Sequence, residues 1–193
     1  MLMISRPLQI LGIWVLLACA GAGGKGAPAL EMRDITGVVR RPLELGDSKA
    51  AVIVFISTDC PVANGYAPEI NRICKEYESK HVSFYMVHTD PALKDEDARK
   101  HAKDFGFTCP VLIDREHELV KRLGATITPE AAVVGGDGVI LYRGRIDDLY
   151  VALGKKRFEA TTHDLRVALD AVVAGRKVPT PRTAAIGCAI DVK

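Results

Sequence analysis

The stretch that decides the fold reads Ala51-Val-Ile-Val-Phe-Ile56-Ser-Thr-Asp-Cys60-Pro61-Val-Ala63-Asn-Gly-Tyr-Ala-Pro68-Glu-Ile70. Its first six residues are apolar and rich in β-branched side chains, which predicts a short, buried central strand. From Pro61 to about residue 79, large apolar residues recur at steps of four, three and four, which predicts a helix interrupted by Pro68. Cys60 therefore lies between the end of a buried strand and the start of a helix.

Working outward from this unit, strand patterns alternate with helical patterns. Strands are expected over 82–87, 111–113, 131–134 and 139–145, the last two forming a hairpin around Gly135-Gly-Asp-Gly138. Helices are expected over 94–105, 118–123 and 161–174, the last capped by Thr161 or Thr162. This alternation predicts an α/β sandwich, in which a site forms at the carboxyl ends of the strands.

The first 29 residues are expected to be a leader and linker. One basic residue, Arg6, precedes a 13-residue uncharged stretch that is too short to span a bilayer, which is typical of an export signal. Ala18-Cys19-Ala20 and Ala27-Pro28-Ala29 are alternative small-x-small cleavage sites. Leu16-Leu17-Ala18-Cys19 resembles a lipobox, in which Cys19 would be acylated and tether the protein to a membrane. Residues 30–178 then form one domain, and residues 179–193 an extended tail carrying Cys188.

The charge balance excludes one class of partner. Lys and Arg total 26 against 24 Asp and Glu, and both excess positive charges, Arg6 and Lys25, precede residue 30. The remainder of the chain is formally neutral, so no basic surface for nucleic acid is expected. No C-x-x-C pair is present, so the cysteines predict no zinc or haem site, and neither a metal nor a cofactor is expected.

Cys60 is the strongest chemical candidate. Free N–H groups at a helix N-terminus stabilise a thiolate, and Pro61 suits the first helical position because its missing N–H is not needed there. Ser57 and Thr58 supply hydroxyls that could polarise a reacting atom, whereas the carboxylate of Asp59 opposes ionisation. A modestly lowered pKa is expected for the Cys60 thiol.

Residues 54–70 resemble the strand, active-site turn and kinked first helix of the thioredoxin-like superfamily, in particular its redoxin group of alkyl hydroperoxide reductase and thiol-specific antioxidant proteins. Thr128 and Pro129 resemble the segment that holds the superfamily's cis-proline. The resemblance covers about residues 34–175. It implies a three-layer sandwich with a central mixed sheet, Cys60 as the catalytic cysteine, and Pro129 packed beside it.

Two departures narrow the expected chemistry. Ala63 stands where thioredoxins have their second cysteine, so Cys60 cannot work by the C-x-x-C cycle. The arginine that activates peroxide in peroxiredoxins is not placed by any motif, and Arg143 and Arg145 are the nearest candidates, each better interpreted as a solvated charge at a strand end. Peroxide reduction and thiol–disulfide exchange both remain open.

A second cysteine is needed to resolve an oxidised Cys60. Cys74 is about 21 Å along the same helix and fits the core, and Cys109 fits packing before a strand. Cys188 lies in the segment Ile186-Gly187-Cys188-Ala-Ile190, which resembles the ending of some redoxin-domain proteins. We therefore predict a Cys60–Cys188 redox pair, with a purely structural tail as the alternative.

The expected activity is that of an exported, thiol-dependent oxidoreductase acting on a protein or small-molecule disulfide, thiol or peroxide, in the bacterial periplasm or cell envelope. The alternatives are a copper-binding chaperone of similar fold and a non-catalytic binding module. A copper site would use Cys60 with His88 or His163, although both histidines fit ordinary polar positions. His117 is expected to be exposed.

Overall fold

The computed structural model describes residues 30–192. The expected leader, with Cys19 and both predicted cleavage sites, lies outside the described residues. The strands are β1 (Met32–Arg33), β2 (Val39–Arg40), β3 (Ala50–Ile56), β4 (Val82–His88), β5 (Val111–Ile113), β6 (Ile127–Thr128), β7 (Glu130–Gly135), β8 (Ile140–Gly144), β9 (Tyr150–Ala152), β10 (Lys155–Lys156) and β11 (Cys188–Ala189). The helices are α1 (Pro61–Glu78), α2 (Asp95–Asp104), α3 (Glu118–Leu123) and α4 (Asp164–Val173).

The central sheet has five strands in the order β5-β4-β3-β7-β8. The crossover strands β3, β4 and β5 are parallel, whereas β7 runs antiparallel to β3 and to β8. Every residue of β3 is buried, as its unbroken apolar sequence predicts. Ile56 pairs with His88, so β3 and β4 end at the same edge of the sheet, directly before α1.

Helices cover both faces of this sheet. Alternate residues of β3, such as Val52 and Val54, pack in one apolar cluster with α1 and α4, while Ile53 and Phe55 pack with α3 in a second cluster. This alternation follows from the two-residue period of a strand. The expected three-layer α/β sandwich with a central mixed sheet is confirmed.

Two local expectations about the helices are wrong. Helix α1 continues through Pro68 without a break, because buried residues on both sides of Pro68 hold it against the sheet. Helix α4 begins after His163, and neither Thr161 nor Thr162 caps it. Instead the backbone N–H groups of both threonines donate to the Asp148 carboxylate, at 2.6 and 2.9 Å, which fixes the approach to the helix.

A disulfide joins Cys74 in α1 to Cys109, just before β5. The two Cα atoms are 6.8 Å apart and the residues are separated by 35 positions. Both side chains are buried, which agrees with the expected core position of Cys74 and the expected packing role of Cys109, but the bond between them was not predicted. The bond ties the helix that carries Cys60 to the edge of the central sheet.

No helix within residues 30–192 is both long and apolar enough to cross a membrane.

A histidine pair is buried beside the end of β4. His88 is inaccessible to solvent, and neither of its ring nitrogens has a hydrogen-bond partner among the described residues. His101 of α2 lies edge-on at 5.0 Å between ring centroids. Burial, followed by repulsion from His101, lowers the pKa of His88 to about 3. His88 is therefore neutral in the folded protein near neutral pH.

The burial of His88 predicts a loss of stability in acid. Below a pH of about 6.5, His88 is protonated in the unfolded chain but remains neutral in the folded protein. The free energy of unfolding therefore falls as the pH decreases towards 3. The expected slope from this group reaches about 1.4 kcal/mol per pH unit. Urea unfolding of the wild type and His88→Leu between pH 7 and 4 measures the difference.

The free energy of unfolding of the leucine variant should depend less on pH, because leucine has no ionisable group at this position. The exposed His163 provides the matched control, and His163→Gln should follow the wild-type profile. Parallel profiles for the wild type and His88→Leu would contradict the assignment of acid lability to His88.

Candidate active site

Cys60 is the N-cap residue of α1. Its backbone is extended, with φ −86° and ψ 106°, and its Sγ accepts a hydrogen bond from the Ala63 backbone N–H at 3.4 Å. Pro61 begins the helix, as expected from the sequence. The strand-to-helix junction therefore aims the free amides of the first helical turn at the sulfur, which favours a thiolate.

The segment around Pro129 lies against Cys60. The Thr128–Pro129 peptide is cis, and the Cys60 thiol donates to the Thr128 carbonyl at 2.9 Å. The expected contact between the Thr-Pro segment and Cys60 is therefore present, although 68 residues separate them in the chain. The Thr128 hydroxyl also faces Cys60.

A buried ion pair supports this segment and was not expected from the sequence. Glu130 is 4% exposed, accepts from the Thr126 backbone N–H at 2.8 Å and pairs with Arg143 at 3.2 Å. Arg143 also donates to the carbonyl of Leu123 at 3.1 Å. Arg143 is thus a structural brace, and its interpretation as a solvated strand-end charge is wrong.

The C-terminal tail folds back over Cys60 as a strand. Strand β11 pairs antiparallel with β6, with Cys188 directly opposite Thr128. Ile190 extends the pairing by donating its backbone N–H to Thr126 at 2.9 Å. Cys188 therefore lies beside Cys60, and each thiol shifts the pKa of the other. The structure therefore brings together the two cysteines that the sequence predicts as a pair, and both are free thiols.

The two thiols differ in acidity. Burial on its own raises the pKa of Cys60. The interactions with the Ala63 amide, the Cys188 thiol and the Thr128 side chain together lower it by more, so the pKa of Cys60 lies below its ordinary value. This agrees with the expected direction. The side-chain interaction with Cys60, followed by burial and the charge of Cys60, raises the pKa of Cys188 to about 11. Cys60 therefore ionises first.

The two predicted hydroxyls do not contact the sulfur. Ser57 Oγ accepts from the Asp59 backbone N–H at 3.4 Å, and the Thr58 hydroxyl donates to the Asp59 carboxylate at 3.3 Å. Both side chains shape the turn before Cys60. The hydrogen bonds at the sulfur instead involve the Ala63 amide, which donates to it, and the Thr128 carbonyl, which accepts from the thiol.

A cleft of about 310 Å³ opens beside the cysteines. Ser57, Thr128 and Cys188 line it, together with Thr89 and His117. Cys60 does not line this cleft and is only 1% exposed, whereas Cys188 is partly exposed. With the tail in place, solvent therefore reaches the pair through Cys188.

Two other sequence expectations are resolved here. His117 is buried rather than exposed, because its backbone is left-handed with φ 54° and its ring turns inward to contact the Thr89 carbonyl at 2.8 Å. Arg145 pairs with Asp164 at 2.8 Å. Like Arg143, Arg145 is paired with a carboxylate. Among the described residues, no hydrogen bond or ion pair joins either arginine to Cys60.

The copper ligand set considered for Cys60 does not assemble. Within residues 30–192, the only cluster of three potential metal ligands comprises Cys74, Glu78 and Cys109, and its two sulfurs are bonded to each other. His88 and His163 do not join Cys60 in such a cluster.

Comparison with known proteins agrees with this geometry. The thiol-disulfide oxidoreductase ResA of Bacillus thuringiensis subsp. konkukian is 26% identical over 120 residues, covering 61% of this chain and 66% of that protein. The chain therefore spans just under two thirds of the length of that curated relative.

Two solved structures extend the similarity. An uncharacterized conserved protein of Geobacillus kaustophilus is 32% identical, with a TM-score of 0.74, covering 88% of this chain and 92% of that chain. A secreted disulfide oxidoreductase of Mycobacterium tuberculosis shares the fold at 16% identity and a TM-score of 0.52, covering 76% and 96% of the two chains. Residues 24–143 match the AhpC/TSA family. The chain is therefore a member of the AhpC/TSA family with a thioredoxin-like fold.

Proposed function

We propose that this protein is a thiol–disulfide oxidoreductase in which Cys60 attacks and Cys188 resolves. The observation that carries the proposal is the pairing of β11 with β6, which places the Cys188 thiol beside the Cys60 sulfur and next to a cis-proline. The similarity to ResA, named as a thiol-disulfide oxidoreductase, supports the same reaction.

The first step is attack by the Cys60 thiolate on one sulfur of a substrate disulfide. The substrate S–S bond breaks, a Cys60–substrate disulfide forms, and the released substrate thiolate takes up a proton. The Ala63 amide and the Thr128 hydroxyl stabilise the attacking thiolate. Pro129 shapes the segment against which the substrate docks, while Ser57 and Thr58 hold the turn.

The second step closes the cycle within the chain. Once Cys60 is in a disulfide its negative charge is gone, so the contribution of that charge to the raised pKa of Cys188 disappears. The Cys188 thiolate then attacks the Cys60 sulfur, expelling the second substrate thiol and leaving a Cys60–Cys188 disulfide. The substrate gains two electrons and two protons, and the protein loses them. The reverse sequence oxidises a substrate dithiol.

A Cys188→Ser variant tests this order of events. The variant keeps the attacking thiol but has no resolving thiol, so a Cys60-linked mixed disulfide with a small aromatic disulfide reagent should accumulate to nearly one per chain. The wild type should release both halves of the reagent and hold none. Intact-mass spectrometry without reductant measures the adduct. No adduct on the variant, or an equally persistent adduct on the wild type, would contradict the proposal.

Peroxide reduction is the second candidate, favoured by the AhpC/TSA family match and by the Cys60-Pro61 sequence. In that reaction the Cys60 thiolate takes an oxygen from a hydroperoxide, releasing an alcohol and leaving a sulfenic acid that Cys188 converts into the same disulfide with loss of water. Since Arg143 and Arg145 are engaged with Glu130 and Asp164, thiol–disulfide exchange is the better supported of the two.

We also propose that the protein is exported. The sequence of residues 1–29 supports an export signal, with Cys19 as an alternative lipid attachment point. The Cys74–Cys109 disulfide supports an oxidising compartment, because such bonds are rare where glutathione keeps thiols reduced. The protein would then act on disulfides or thiols of other exported proteins in the cell envelope.

A further inference from the structure

Gly187 lies in the tail directly against the active-site segment. It immediately precedes Cys188, where β11 meets β6. A Cβ atom at this position would overlap the Thr128 carbonyl oxygen and lie 2.7 Å from the Thr128 carbonyl carbon. Both are backbone atoms, and the same carbonyl accepts the hydrogen bond from Cys60. A larger residue could not be relieved by rotating a neighbouring side chain.

The tail is attached at two places, one on each side of Gly187. Upstream, Arg143 donates its backbone N–H to Pro181 at 2.9 Å and accepts from Thr183 at 3.1 Å. The Thr183 hydroxyl also lies 2.7 Å from the Tyr142 hydroxyl. Downstream, Ile190 bonds to Thr126. The two attachments therefore hold the segment between them against Thr128. No space remains there for a side chain at position 187.

We infer that Gly187 is the positioning residue of the cysteine pair: its missing side chain lets the tail close on Thr128, which both covers Cys60 and sets Cys188 against it. This inference rests on the proposed function for the resolving role of Cys188, but the covering of Cys60 does not depend on it. Closing the tail accounts for a nucleophile that is 1% exposed yet next to a partly exposed partner.

The same contact implies a restriction on the reaction. While β11 lies on β6, an extended segment of a protein substrate cannot pair with that edge, because the backbone groups of Thr126 and Thr128 are already occupied. A protein disulfide must therefore reach Cys60 with the tail displaced. After attack, return of the tail delivers Cys188 and expels the substrate.

The test is Gly187→Ala, which adds one methyl group and retains both thiols. Its effects on the two cysteines should have opposite signs. Alkylation of Cys60 by iodoacetamide should accelerate about tenfold or more, because the cover is lifted. Formation of the Cys60–Cys188 disulfide with oxidised glutathione should slow about tenfold or more, because the sulfurs are misplaced. Peptide mass spectrometry after timed quenching measures both rates.

Gly136→Ala is the matched control. It is the same chemical change in the hairpin turn, where the new Cβ would meet only Leu45 Cδ1, at 3.8 Å. Both rates should equal those of the wild type. A merely destabilising effect of Gly187→Ala would accelerate alkylation of the buried Cys74 and Cys109 after reduction as well, so selectivity for Cys60 is the required signature.

A second variant guards against misfolding. Thr183→Ala removes the hydroxyl contact of the upstream anchor without adding volume, and it should shift both rates in the same directions by a smaller factor. Unchanged Cys60 alkylation in both tail variants would overturn the inference and leave the proposed function standing. If the wild type formed no Cys60–Cys188 disulfide but the tail variants were alkylated faster at Cys60, the covering of Cys60 by the tail would be supported. The proposed function would then be overturned.

Discussion

Cys60→Ser is expected to reduce thiol–disulfide exchange by roughly a thousandfold or more, because the thiolate is the attacking group and a serine hydroxyl at neutral pH is not ionised. The loss should appear in the first chemical step. Stopped-flow measurement of reagent thiol release, with protein in excess, isolates that step from resolution and release.

The fold should survive the Cys60→Ser substitution. Serine is a good N-cap, and its hydroxyl can accept from the Ala63 amide as the sulfur does. Cys188→Ser is the matched control, since it should retain the first step while losing the second. If Cys60→Ser kept more than about a tenth of the wild-type rate, Cys60 would not be the nucleophile and the proposed chemistry would have to move to another thiol.

Removing the Cys74–Cys109 disulfide should have the largest effect on stability. Its loop of 35 residues predicts a contribution of about 4 kcal/mol to the free energy of unfolding, through restriction of the unfolded chain. The double variant Cys74→Ala, Cys109→Ala should therefore unfold at a much lower urea concentration. Equilibrium unfolding monitored by circular dichroism gives the difference.

A reductant separates the two cysteine pairs in this experiment. Adding dithiothreitol should lower the stability of the wild type to near that of the double variant, and should leave the variant almost unchanged. Cys188→Ser, which lacks only the free thiol of the tail, should respond to the reductant as the wild type does. Equal stability of the wild type and the double variant without reductant would show that the disulfide between α1 and the edge of the sheet does not stabilise the fold.

The local parts of the structure could be predicted from sequence because their signals are local. The apolar run of β3 and the helical spacing after Pro61 define a strand and a helix, and a cysteine between them must lie at a helix N-terminus. The cis-proline segment could be predicted because Thr128 and Pro129 resemble a known pattern. These are the elements that place the Cys60 sulfur.

The other parts depend on contacts between distant residues. No spacing rule predicts that Cys74 meets Cys109, because their contact follows from the packing of α1 and the segment before β5 into one apolar cluster. His117 was misassigned because a left-handed backbone at the start of α3, which its sequence does not reveal, turns the ring inward.

Gly187 illustrates the same limit at the active site. In the sequence it is an ordinary tail glycine, and its role depends on a carbonyl 59 residues earlier in the chain, at Thr128. Glu130 is comparable, since its buried pairing with Arg143 requires β7 and β8 to be in register. The sequence could therefore suggest which cysteines react, but not what holds them together.

Peptide mapping of the oxidised protein under non-reducing conditions tests the central claim most directly. The wild type, treated with one equivalent of a disulfide oxidant and digested without reductant, should yield one linked fragment that joins the Cys60 peptide to the Cys188 peptide. The Cys74–Cys109 fragment should be present before and after oxidation. Recovery of Cys188 as a free thiol from protein whose Cys60 is oxidised would contradict the account.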